Sequence, residues 1–173
     1  AIENMDVNRV VTVPKQAIGV EGSSLYLKEN EQIKVIDLLY GLMLESGNDA
    51  ATAVAVLCSG SVEEFVKLMN QKAKETGLID THFDNPHGLH SENHYTTPYE
   101  LALLCSKALE NEIFAKIVSS KNHYANTSVG RRYFVNHNKL LRYMENAAGV
   151  KTGFTKTAGR CLVSASKINN STF

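Results

Sequence analysis

Lys151-Thr152-Gly153 sets an ammonium, a hydroxyl and a position without a side chain next to one another in the strand-like run GVKTGFT. Lysine and threonine can bind a carboxylate through charge-assisted hydrogen bonds, and glycine lets a ligand's backbone come up to the strand edge. Alone the triplet is a weak signal, because any surface strand can hold one. Far upstream, Ser46-Gly47-Asn48-Asp49 interrupts LLYGLMLESGNDAATAVAVL, residues 38–57, at its middle. Leu38, Leu39, Leu42 and Met43 have the spacing of a buried helical face, which Ala50, Ala51, Ala53, Val54 and Leu57 resume. Turn residues therefore stand inside a core pattern. Asn and Gly accept left-handed backbone, Ser and Asn bond to nearby backbone, and Asp49 suits the first turn of a second helix. The stretch predicts helix, tight turn, helix, with Ser46 and Asn48 at the corner.

Other reactive types are less telling. His82, His87, His90 and His94, with Asp84 and Glu92 among them, crowd one segment, but it contains Pro86 and Gly88 and lacks the helical H-x-x-x-H that fixes metal ligands on one face. They are read as histidines that structure a loop, and no metal is assigned. Cys58, Cys105 and Cys161 are odd in number, far apart and set among Ala, Leu and Val, which reads as three small buried apolar residues. Arg131-Arg132 reads as a solvated pair at a hairpin tip, ahead of a contact to a polymer. Ser164-Ala165-Ser166-Lys167 spells S-x-x-K on a strand, where alternation sends Ser164 and Lys167 to opposite faces and prevents a nucleophile–base pair.

These groups need elements to position them. RVVTVPKQA reads as a strand or extended arm stopped at Pro14, and SSLYLKENEQIKV as a hairpin-like element about Glu29-Asn30-Glu31. AIENMD at the start is helix-like. Ser61 with Glu64 makes a capping box for a helix to about Glu75, and Thr97, Pro98 and Glu100 start another that runs to about Leu109. A shorter helix is predicted from Ile113 to Ser120, then a hairpin in NHYANTSVGRRYFVNHN, then the strand pair GVKTGFT and RCLVSAS. Helices in the middle with strands at the ends give an α+β class.

At 173 residues, 43% hydrophobic and 21% charged, the chain suits one globular domain or part of a larger one. Lys plus Arg and Asp plus Glu both number 18, so no global field points to nucleic acid. No apolar run reaches the ~20 residues of a membrane helix, and no export signal or anchor is visible.

S-x-N at a helix corner followed by K-T-G on a strand is two of the three motifs that mark penicillin-binding proteins and β-lactamases. The sequence resembles the low-molecular-mass penicillin-binding proteins, serine D-alanyl-D-alanine carboxypeptidases, over nearly all of its length. The likeness runs through GSSLYLKENEQIKVIDLLYGLMLESGNDAA, THFDNPHGLH, HYTTPYELA, NHNKLL and GVKTGFTKTAGRCLVSAS in that order, and SGN is closer to the carboxypeptidases than to the SDN of class A β-lactamases. It implies a helical subdomain plus part of the antiparallel sheet of the penicillin-binding/β-lactamase-like transpeptidase fold, with residues 1–173 a partial catalytic domain incomplete at its N-terminus.

The implied chemistry is acyl transfer on peptidoglycan stem peptides ending in D-Ala-D-Ala, with β-lactams as inhibitors of the parent protein, no cofactor and an extracellular or periplasmic setting. Ser46 would pass a proton to the leaving D-alanine and Asn48 hold the substrate's amide. Lys151, Thr152 and Gly153 would bind the terminal carboxylate and strand edge, and the Phe154 N–H would serve as an oxyanion donor. One departure is plain: upstream of Ser46 only Ser23 and Ser24 occur, followed three residues on by Tyr26 and Leu27, so no S-x-x-K precedes S-x-N. The chain is therefore read as starting just beyond the nucleophile helix, with self-association expected of the exposed apolar faces. The alternatives are a β-lactamase or D,D-endopeptidase of the same superfamily, and a non-catalytic peptidoglycan-binding module.

Overall fold

Leu38 and Leu44 have no exposed surface, and they anchor helix α1 (Val35–Glu45) against helix α2 (Asn48–Ser59), whose Ala50, Ala53 and Val54 are buried in return. Alanines on α2 let the two helices approach closely, and this pair forms the centre of the main core. The computed structural model describes residues 1–169 together with the backbone of Ser171 and Thr172. Strands β1 (Val10–Thr12) and β2 (Gln32–Lys34) pair antiparallel beside the core, with Val11 opposite Ile33 and both side chains buried. After Pro14 the chain turns through a single 3₁₀ turn at Lys15–Ala17.

Caps set the other helices as their sequences foretell. The Ser61 hydroxyl accepts from the Glu64 N–H at 3.1 Å at the start of α3 (Val62–Glu75), and Thr97 does the same for Glu100 at 3.2 Å before α4 (Pro98–Leu109). Asn111 caps α5 (Glu112–Ser119) through the Phe114 N–H. The hairpin of β3 (Asn122–Thr127) and β4 (Gly130–Val135) is tied to β2 by the Ser128 N–H, which donates to the Gln32 carbonyl. A short helix α6 (Leu140–Tyr143) leads into β5 (Ala147–Thr155), which pairs antiparallel with β6 (Gly159–Ile168), itself paired with β7 (Ser171–Thr172). Val118, Val150 and Ala165 form a second, smaller core with Met43, Leu109 and Phe114 around it. Met43 belongs to α1, so this cluster is what sets the β5–β6 sheet against the end of α1.

Four expectations need correction. SSLYLKENEQIKV is no hairpin: residues 24–28 pair with no strand, because their backbone groups are taken elsewhere. The Asp49 carboxylate accepts the N–H groups of Leu25 and Leu27, and the Arg132 guanidinium donates to the carbonyls of Leu25 and Tyr26. Arg132 is accordingly not a solvated residue. Its Nε and Nη2 meet both oxygens of fully buried Glu31 at 2.7 and 2.6 Å, a bidentate pair that turns the loop's acidic residue inward. Only Arg131 faces solvent. The opening AIENMD forms turns and not a helix, and the cysteines are not fully buried: Cys58 is half-buried, Cys105 half-buried against the smaller core, and Cys161 exposed.

Burial pushes the Glu31 carboxyl up, but the Arg132 hydrogen bonds and the Lys28 N–H more than reverse this and hold it below the ordinary carboxylate range. Arg132→Ala should cost about 3–5 kcal/mol by leaving an uncompensated buried carboxylate. Urea unfolding would show it as a lower midpoint. Because the folded pKa is depressed, the pair's contribution is present above the unfolded carboxylate pKa and is lost as pH falls through the folded value. The gap between wild type and variant should therefore narrow in acid.

Candidate active site

The corner between α1 and α2 is held from outside by one carboxylate. Asp49 has almost no exposed surface; its Oδ1 accepts from the Leu25 N–H at 3.0 Å, and its Oδ2 accepts from the Ser24 hydroxyl at 2.8 Å and the Leu27 N–H at 3.1 Å. Leu25 is thereby pressed onto the corner. A Cβ at Gly47 would lie 2.7 Å from Leu25 Cγ, and one at Gly41 would overlap the same side chain, so both glycines are required by packing. The Asn48 N–H donates to the Ser23 carbonyl at 2.8 Å, and its Nδ2 donates to the Glu21 carbonyl at 2.7 Å. Asp49 thus does more than begin a helix.

Ser46 ends α1 in the left-handed region, at φ 60° and ψ 35°. A non-glycine residue there stores of the order of 1–3 kcal/mol, and the surrounding contacts hold it in place. The result aims the Ser46 hydroxyl at β5, where the Lys151 ammonium donates a hydrogen bond to Ser46 Oγ and a second, at 2.8 Å, to the Thr152 carbonyl. Desolvation lowers the Lys151 pKa to about 8. It remains mostly protonated at neutral pH, a hydrogen-bond donor to Ser46 and a cation for an incoming anion.

Ser46, Asn48, Lys151, Thr152, Gly153 and Phe154 line one open cleft of about 970 Å³. Thr152 is half-buried, whereas Gly153 is exposed and Phe154, at 69%, turns outward to the mouth. A Cβ at Gly153 would meet only Cys161 Cβ at 3.7 Å, so the protein's own packing does not demand glycine there. Among the described residues β5 is an edge strand, and its outer edge is open for an extended peptide to add to. Ser164 instead pairs with Val150 and is absent from the cleft lining.

Two walls were not singled out as site residues from the sequence. His87, Gly88 and Leu89 form one, from a loop built by its own side chains: Asn85 Oδ1 accepts from Gly88 N–H, Asn85 Nδ2 donates to the Leu89 carbonyl, and His94 Nδ1 accepts from Asp84 N–H. Burial lowers the pKa of both His87 and His94. The loop is rooted by buried Glu100, which accepts from the Ile79 and Asp80 N–H groups and the Thr81 hydroxyl. His137, Asn138 and Lys139 form the other wall, with His137 Nε2 3.1 Å from Glu45 Oε2. Asn138 Nδ2 is buried without a hydrogen-bond partner among the described residues. The signal for both walls lay in the quoted NPHGL and NHNKLL stretches.

The family model described as D-alanyl-D-alanine carboxypeptidase matches residues 1–173. The chain is 38% identical over 161 residues to D-alanyl-D-alanine carboxypeptidase DacF of Bacillus subtilis, covering 92% of this chain and 41% of that protein. Against DacD of Escherichia coli the identity is 35% over 164 residues, 90% of this chain and again 41% of the relative. The chain therefore spans about two fifths of the length of these relatives. Its fold matches the crystal structure of the Streptomyces K15 DD-transpeptidase with a TM-score of 0.91 at 34% identity, covering 98% of this chain and 71% of that one. A penicillin-binding protein homolog from Mycobacterium tuberculosis gives 0.92 at 29% identity, covering 99% and 65%.

The buried ammonium makes a measurable claim. Lys151 should titrate near pH 8, well below an ordinary lysine, as followed by the ¹³Cε shift of a selectively labelled chain. Since the unfolded chain binds more protons above that pH, wild-type stability should rise relative to Lys151→Met between about pH 8 and ~10.

Proposed function

The chain belongs to the D-alanyl-D-alanine carboxypeptidase family, and from that membership we propose that it forms the leaving-group and carboxylate-binding half of a serine D-Ala-D-Ala carboxypeptidase of the cell envelope. The parent protein releases the terminal D-alanine from peptidoglycan stem peptides. The observation that carries this reading is the hydrogen bond from the Lys151 ammonium to Ser46 across the cleft.

An extended peptide entering the cleft adds to the open edge of β5, with its terminal carboxylate at Lys151 and Thr152. Its amide N–H reaches Asn48 Oδ1, the Nδ2 of that side chain being held by the Glu21 carbonyl. The Phe154 N–H points to the carbonyl oxygen, where charge develops as the tetrahedral intermediate forms. Ser46 hands its proton to the departing D-alanine amine and takes in exchange the proton that the attacking serine gives up through its lysine base, while Lys151 keeps the hydroxyl oriented by donating to it. Ser46 has Asp49 and not a lysine three residues on, and it is therefore assigned here as a proton carrier and not as the nucleophile. The attacking serine and its lysine base, the family's S-x-x-K, lie outside these 173 residues in this proposal.

Two tests follow in the parent enzyme and in this chain. Lys151→Ala in the parent should lower kcat/KM on an acyl-D-Ala-D-Ala peptide by a factor of ~30 or more, the loss of about 2–5 kcal/mol expected when one partner of a charged hydrogen-bonded pair is removed. A variant with undiminished kcat/KM would sink the carboxylate assignment. Incubated with penicillin, the 173-residue chain should show no stable adduct by intact-mass spectrometry, while the parent shows one. An adduct on the short chain mapped to Ser46 would make Ser46 the nucleophile after all.

A further inference from the structure

The outer face of the β3–β4 hairpin holds aromatic groups that the core does not use. Inward, Ala125 and Phe134 are buried. Outward, Tyr124 and Tyr133 stand opposite each other in register, each about half exposed, with ring centroids 4.5 Å apart. The Arg131 guanidinium lies 3.9 Å from the centre of the Tyr124 ring, and exposed Asn126 is its partner across the ladder. Among the described residues Arg131 makes no ion pair, in contrast to its neighbour Arg132.

This face runs into the cleft. Burial alternates without a break from Arg131 to Asn138, past the end of β4, with residues 131, 133, 135 and 137 on the more open side. The Asn136 N–H donates to the Lys121 carbonyl at 2.9 Å and so continues the ladder, and the next outward residue, His137, lines the cleft beside Lys139. At about 3.3 Å per residue the stripe is roughly 20 Å long. Along it stand the Arg131 and Lys139 cations and, at the edge of β4, one carboxylate, that of Glu45, which accepts the Val135 N–H and lies 3.1 Å from His137 Nε2, so cations outnumber carboxylates on it. Preorganised tyrosines with flanking amide and guanidinium donors offer both an apolar ring surface and hydrogen bonds to hydroxyls.

We propose that this stripe is a docking track for the carbohydrate backbone of a carboxylate-bearing glycopeptide polymer, seating the glycan strand while its peptide branch enters the cleft. The inference rests on the carboxypeptidase reading above, which supplies the polymer, and on two features of the surface, its continuity with the cleft and its cationic complement to a carboxylate-bearing chain. The tyrosine edges contact sugar rings, and the Asn126 amide and the free edge of Arg131 bond to ring substituents. A sugar-free polyanion would need only the cations and would leave the paired tyrosines without a role.

The test uses the full-length protein and purified glycan strands from which the stem peptides have been removed. Wild type should co-sediment with the strands, Tyr124→Ala/Tyr133→Ala should lose at least fivefold in apparent affinity, and Tyr133→Phe should keep most of it. Arg131→Gln, which removes no packed ring, should lose about threefold and serves if the double variant melts early by circular dichroism. Equal binding by wild type and the double variant, or full competition by polyglutamate, overturns the proposal. Wild-type turnover of a soluble acyl-D-Ala-D-Ala peptide separates the two readings. Turnover without tyrosine-dependent glycan binding defeats the track alone, and tyrosine-dependent glycan binding without turnover defeats the carboxypeptidase reading alone.

Discussion

A single buried carboxylate organises the cleft side of this molecule. Asp49 gathers the backbone of Leu25 and Leu27 and the Ser24 hydroxyl, and every feature of the α1–α2 corner follows from that grip. Leu25 is held against Gly41 and Gly47, the loop before it passes over Asn48, and Ser46 is left in a left-handed conformation that aims its hydroxyl across the cleft. A carboxylate that accepts from three backbone N–H groups, those of Leu25, Leu27 and Ala50, and from a hydroxyl has no need of a cation partner. The cations are thereby left for other tasks: Lys151 meets the cleft, and Arg132 neutralises Glu31 on the far side of the same loop.

Much of this was legible in the sequence, for reasons that are local. Ser61 and Thr97 cap their helices because a hydroxyl followed by Glu three residues on satisfies backbone donors wherever it occurs. The strand pair around Lys151 and the helix corner at Ser46 were readable from periodicity and turn chemistry. That these two meet rests on the motif pair, since no local rule joins residues so far apart. What escaped was the fate of polar groups whose partners are distant. Arg132 looked solvated because nothing nearby in sequence could bury it, and the acid that does so is Glu31. The run from Ser24 to Lys28 alternates like a strand, yet Asp49 and Arg132 take its hydrogen bonds before any strand can. Cys161 stands among apolar letters on an exposed strand face, where alternation and not composition decides burial.

The cleft is assembled from six separate pieces of chain, and they differ in rigidity. The corner is packed on both sides, and β5 is braced by the smaller core of Val118, Val150 and Ala165. The wall from His87 to Leu89 is different: it depends on hydrogen bonds within its own loop and on the root at Glu100. Local opening therefore costs least there. Under the proposed function, that wall is the piece that can yield to an entering peptide while Ser46 and Lys151 stay fixed.

The two long ties of the structure also bear on how it comes to exist. Arg132 reaches Glu31 across 101 positions, and Lys151 reaches Ser46 across 105. Contacts of such separation close large loops, and the entropy they cost is recovered only when the rest of the fold is in place. The helical corner can form early from neighbouring residues, but the cleft cannot. During synthesis the serine is made long before the lysine that bonds to it, so the Ser46–Lys151 contact, and with it the carboxylate site proposed for the cleft, forms only when the last strands dock.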